Sequence, residues 1–103
     1  MLNVNELWRL RLMFPELSEL QFQILMHYSF GSDNESIAHV LGCSVVAVKK
    51  SLMRIKNDLR LDKLDTARII YHSRTQTALM APPDFPKQYY EMMSKKPHID
   101  QPH

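Results

Sequence analysis

Apolar residues recur at intervals of three and four along most of the chain, and no run of four or more residues alternates in the manner of a strand. The pattern predicts an all-α protein. A first helix is predicted over Val4 to Phe14: Asn3 and Glu6 have the spacing of a capping pair, and Pro15 disfavours helical geometry at Phe14. Its apolar residues Leu7, Trp8, Leu10, Leu12, Met13 and Phe14 span so broad an arc that it needs cover on more than one side, from this domain or a second subunit. Ser18 and Gln21 form a second capping pair. They open a helix with Leu17, Ile24, Leu25 and Tyr28 on one face, and Gly31 ends it.

The spacing then tightens. Asp33 caps a short helix from Asn34 to Leu41, with Ile37, Ala38 and Leu41 inward. Gly42 supplies a left-handed stop and Cys43 fills the turn as a small, buried, inert thiol. Ser44 caps a helix predicted over Val45 to Leu59. A three-residue turn containing glycine makes the two helices cross steeply. In the second of them Val48, Leu52, Ile55 and Leu59 form an inward seam. Lys49, Met53, Lys56 and Arg60 lie opposite, with Lys50, Arg54 and Asn57 beside them. A last helix, Lys63 to Leu79, turns Leu64, Ala67, Ile70 and Tyr71 inward and carries Ile69, Ser73 and Thr77 on a second face. From Pro82 the period is lost among five prolines. The predicted organisation is an N-terminal helical extension (1–16), a helical domain (17–81) and a flexible proline-rich tail (82–103).

Charge sharpens this picture. The 103-residue chain has a formal net charge of only +2, but the charge is sorted. The first 43 residues hold Arg9 and Arg11 against Glu6, Glu16, Glu19, Asp33 and Glu35, a net of −3. From Ser44 to Lys63, Lys49, Lys50, Arg54, Lys56, Arg60 and Lys63 outweigh Asp58 and Asp62 by +4. A basic helix sits on a mildly acidic body. No apolar run approaches the ~18 residues of a membrane span, and no signal peptide opens the chain. The single cysteine excludes an internal disulfide and fits the cytoplasm. The five histidines lack metal-ligand spacing, and no phosphate-loop, dinucleotide or nucleophile-elbow motif occurs. These absences argue against an enzyme, a cofactor, a metal or a small-molecule ligand.

A short helix, a glycine turn and a second helix with one apolar and one cationic face form the arrangement of a helix-turn-helix, whose second helix lies in the DNA major groove. The segment LSELQFQILMHYSFGSDNESIAHVLGCSVVAVKKSLMRIKNDL resembles the LuxR/GerE-type helix-turn-helix of bacterial transcription regulators. Leu17, Ser18, Leu25, Gly31, Asn34, Ile37, Ala38, Leu41, Ser44, Val48, Lys49, Leu52, Ile55 and Leu59 match that pattern without a gap. The resemblance implies a four-helix domain with the third helix as reader and the fourth at a dimer contact. The chain departs from the pattern at Leu20 and Gln21, at Asp33 and Glu35, at Ala47, at Ser51 and at Asp58. Asp33 keeps a cap. Glu35 and Ala47 stand where the family presents groups to phosphate, which implies weaker or differently specific binding.

The expectation is therefore a bacterial-type transcription regulator that binds double-stranded DNA as a homodimer. Only 16 residues precede the module, so regulation is expected through abundance, a partner or oligomerisation. The DNA-facing set is Asn34, Val46, Lys49, Lys50, Met53, Arg54, Lys56 and Arg60. Lys49 contacts base or phosphate, Lys50 base edges, and Met53 offers only apolar contact, for example to a thymine methyl. The dimer contact is assigned to Trp8, Ile69, Ile70 and Ser73. The alternative is a helix-turn-helix-like interaction protein that does not bind DNA and pairs with another regulator or with RNA polymerase.

Overall fold

The computed structural model describes residues 9–80 together with Lys87, Glu91, Met92 and Ser94. Helical backbone at residues 9–12 leads into four helices: α1 (Glu19–Ser29), α2 (Asn34–Leu41), α3 (Val45–Asp58) and α4 (Asp65–Met80). No strand occurs among the described residues, as the apolar spacing predicts.

Local chemistry sets the helix boundaries. At α1 both halves of the capping box form: Ser18 Oγ accepts from the Gln21 amide at 3.2 Å, and Gln21 Oε1 accepts from the Ser18 amide at 2.7 Å. Asp33 Oδ1 accepts from the Ser36 amide at 2.7 Å, which holds its carboxyl below the usual aspartate range. Ser44 Oγ accepts from the Ala47 amide at 3.0 Å and starts α3. The ends of α1 and α2 pass through Gly31 (φ 93°) and Gly42 (φ 69°). The amides of Ser32 and Cys43 then reach back to the carbonyls of His27 and Ala38, so carbonyls left over by each helix are satisfied. α3 ends the same way, with Leu61 donating to the Lys56 carbonyl at 3.0 Å, but the left-handed position is Arg60 (φ 58°).

α1 is the hub, packed against α2, α3 and α4, while α2 packs on α3. Phe14, Ile24, Leu25, Ile37, Val48, Ile55 and Tyr71 are the most enclosed large side chains of the core. Phe14, Phe22 and Tyr71 pile together with ring centroids 5.6 to 6.2 Å apart, joining the segment before α1 to α4. Phe22 is thus a core residue outside the predicted apolar face of α1, because α4 covers a second side of that helix.

Other departures from expectation are small. Of the first apolar set, Leu10 and Phe14 are buried and Leu12 is exposed. Val4 to Trp8 and the Asn3–Glu6 cap lie outside the described residues. α4 begins at Asp65 rather than Lys63, since residues 62–64 form the turn into it. Cys43 is half-buried against the core rather than fully enclosed. In the predicted tail, Lys87, Glu91, Met92 and Ser94 have exposed helical backbone, and Ser94 Oγ donates to the Glu91 carbonyl at 2.9 Å. The rest of that segment lies outside the described residues. No single described helix is long and apolar enough to cross a membrane.

Candidate nucleic-acid interface

α2 and α3 meet at 105° across the turn Gly42–Ser44, within the range of a helix-turn-helix pair. Val48, Leu52 and Ile55 are buried and fix the rotation of α3 about its own axis. With about 3.6 residues per turn, the opposite side must carry Val46, Lys50, Met53 and Asn57, and all four are exposed.

The two flanks of this stripe differ. On one side Lys49 and Lys56 border a shallow depression of about 350 Å³, lined also by Asn34, Leu52, Met53 and Leu64. Asn34 is the first residue of α2, so the N-terminal end of the scaffold helix, with its outward-pointing amides, stands beside two lysines. On the other side lies Arg54, exposed, and below it Asp58, whose Oδ2 accepts from Gln21 Nε2 at 3.0 Å. Gln21 therefore does two things: its carbonyl oxygen completes the α1 cap, and its amide nitrogen braces the C-terminal end of α3. In the sequence Gln21 shows only its capping spacing, and Asp58 only the loss of a family lysine. The bond between them spans 37 positions and has no sequence signal.

Among the described residues no carboxylate lies within ion-pair distance of Lys49, Lys50, Arg54, Lys56 or Arg60. Arg60 projects from the left-handed position that closes α3, exposed at the end of the helix. Glu35 is exposed in the first turn of α2, where a negative charge favours the helix dipole. Ala47 is half-buried on α3. All eight predicted DNA-facing residues thus belong to α3, its C-terminal turn or the adjoining end of α2. Of the predicted dimer set, Ile69 is 69% exposed and Ser73 is exposed on the outer side of α4, Ile70 leans on the core, and Trp8 lies outside the described residues. Among the described residues no group of three or more histidines, cysteines or carboxylates gathers to hold a metal.

A tightly turned helix pair, with a cationic outer face on the second helix braced from α1, defines a helix-turn-helix domain of the DNA-binding, transcriptional class. The family model of sigma-70 region 4 matches residues 7–59, just over half the chain, and the chain belongs to that family. The matched span runs from the segment before α1 through α3 and ends at the C-cap Leu59. It bears out the helix-turn-helix that the LuxR/GerE resemblance implied, without extending to membership of the LuxR/GerE group. Neither among curated proteins nor among solved structures does any match the chain significantly.

Proposed function

We propose that this chain is a sequence-specific, double-stranded DNA-binding regulator of transcription that places α3 in the major groove and acts as a homodimer in the cytoplasm. The observation that carries this reading is the set of five cations on α3 and its C-terminal turn, without an ion-pair partner among the described residues, on a helix locked by a buried seam and by the Gln21–Asp58 bond. The groove is about 12 Å wide and takes one helix, with phosphate walls and acceptor-rich guanine edges on its floor. Lys49 and Lys56, beside Asn34, suit the phosphate wall nearest α2. Lys50 suits base edges. Arg54 and Arg60 suit the opposite wall. Membership of the sigma-70 region 4 family supports the same role. For the homodimer the support is Ile69 and Ser73 on the outer side of α4.

The test is duplex binding as a function of salt. A dimer neutralising ~6–8 phosphates loses about a thousandfold or more in affinity between ~50 and ~200 mM salt. Changing both Lys49 and Lys50 to alanine weakens binding and relaxes sequence preference, and Glu35→Lys strengthens binding to any duplex. Ile69→Glu yields a monomer of unchanged helicity with weaker DNA affinity.

A second reading is favoured by the apolar outer side of α4, where Leu79 and Met80 are exposed with Ile69. In it the chain docks on another transcription regulator or on RNA polymerase without reading DNA. Wild-type protein that binds no duplex at low salt, combined with a Glu35→Lys, Ala47→Thr double variant that does, would establish this reading in place of the first.

A further inference from the structure

The centre of the α3 face is not uniformly cationic. Val46 and Met53, seven positions apart on one side of the helix, are 60% and 57% exposed. Neither belongs to the seam that holds α3 to the body, which Val48, Leu52 and Ile55 supply. Neither takes part in the α3 cap, which rests on the Ser44 hydroxyl and the Ala47 amide. Between them on the same stripe stands Lys50, and the remaining cations of the face lie on its flanks or at its C-terminal end.

An apolar side chain at the centre of a groove-facing helix meets the groove floor, where an aliphatic group can only be matched by another. Of the four standard bases only thymine offers one there, its C5 methyl. We infer that Val46 and Met53 read two thymine methyls, one on either side of the base that Lys50 contacts. Seven residues of helix span ~10 Å, against ~3.4 Å per base pair, so the two methyls belong to base pairs about three steps apart, with room for about two more in the middle position that Lys50 faces. Lys50, a donor only, then meets the O6 and N7 acceptors of a guanine in that middle position. The preferred site is a guanine flanked by thymines in the same stretch of major groove. This inference rests on the DNA-binding reading above.

The experiment uses duplexes selected by the full-length protein from a random-sequence pool at low salt and resynthesised with uracil in place of thymine, one position at a time. Uracil keeps base pairing and phosphates and removes only the methyl. At two positions of each half-site affinity should fall about fourfold, the worth of one buried methyl-sized group. The thymine-to-uracil ratio at one position should return to unity in Val46→Ala and at the other in Met53→Ala, whereas Met53→Leu should keep it. Circular dichroism of the variants should match that of the wild type, since both side chains face solvent. Equal affinity for thymine and uracil duplexes at every position overturns the inference and leaves the DNA-binding reading standing. Ratios that persist unchanged in both alanine variants also overturn it, assigning the methyl effect to DNA shape. Absence of any duplex binding at low salt removes both this inference and the reading beneath it.

Discussion

Arg74 and Arg54 carry the same guanidinium in opposite surroundings. Arg74, on α4, makes a bidentate pair with Glu16 at 2.8 and 2.9 Å, donates to the Met13 carbonyl at 2.9 Å and lies 5.0 Å above the Phe14 ring. Its neighbours do similar work. Arg68 lies 4.0 Å over the Tyr28 ring and donates to the Tyr28 carbonyl, and Arg11 donates to the carbonyls of Phe14 and Leu17. Arg74 and Arg68 tie α4 to the segment before α1 and to the C-terminal end of α1, and Arg11 braces the turn that leads into α1. Arg54, on α3, is exposed, and no carboxylate among the described residues pairs with it. The rear of the molecule uses cations as internal staples and the α3 face holds its cations outward. Location in the fold, rather than residue type, decides whether a positive charge contributes to stability or is left for a ligand.

The comparison predicts a double dissociation. Arg74→Ala should lower stability by roughly 2–3 kcal/mol in urea unfolding, since charged hydrogen bonds and a stacked ring are lost together. Arg54→Ala should stay within about 0.5 kcal/mol of the wild type while weakening DNA binding. Equal stability losses would break the distinction between the two sides. A smaller loss is expected from Ser44→Ala, about 1 kcal/mol for a missing cap, and it should reduce DNA affinity as well because the first turn of α3 frays.

Arg60 sharpens the contrast with an effect of opposite sign. α1 and α2 use glycine at the left-handed position that closes the helix, and α3 uses arginine. An L-residue there costs ~1 kcal/mol, so Arg60→Gly should stabilise the fold by about that amount. The same change should remove one phosphate contact per protomer and reduce the salt slope of DNA binding by the dimer by about 2. A variant that gained stability with an unchanged slope would remove Arg60 from the interface.

The mildest effect is on pH. The bond from Arg74 holds the Glu16 carboxyl below the ordinary glutamate range, and the Ser36 amide does the same for Asp33. A depressed carboxylate contributes stability that is present above its unfolded pKa and lost as pH falls through its folded one. Stability should therefore decline on acidification below the ordinary carboxylate range, and Glu16→Gln should flatten part of that decline in thermal melts across pH.

What could be read in the sequence was what is settled within three or four residues. The caps at Ser18, Asp33 and Ser44, the stops at Gly31 and Gly42, and the seam of Val48, Leu52 and Ile55 all depend on a backbone amide or one helical turn nearby. The helix-turn-helix and the cationic character of α3 follow from them. The outer stripe, however, runs through Val46, Lys50, Met53 and Asn57, with the predicted Lys49 and Lys56 on its flank, because the buried seam sets the rotation of α3. Contacts between distant parts of the chain had no such signal. Gln21 and Asp58 are 37 positions apart, and Arg74 and Met13 are 61 apart. Phe22 turns inward only because α4 covers it. The division of Lys49 from Lys50, one beside Asn34 and the other on the open centre of the stripe, likewise depends on where α2 ends against α3. Helical period and capping are properties of neighbouring residues, so sequence alone determined the elements and the sign of their faces. Which cation is tied down and which is left outward depends on how the helices meet, and only the tertiary structure decided that.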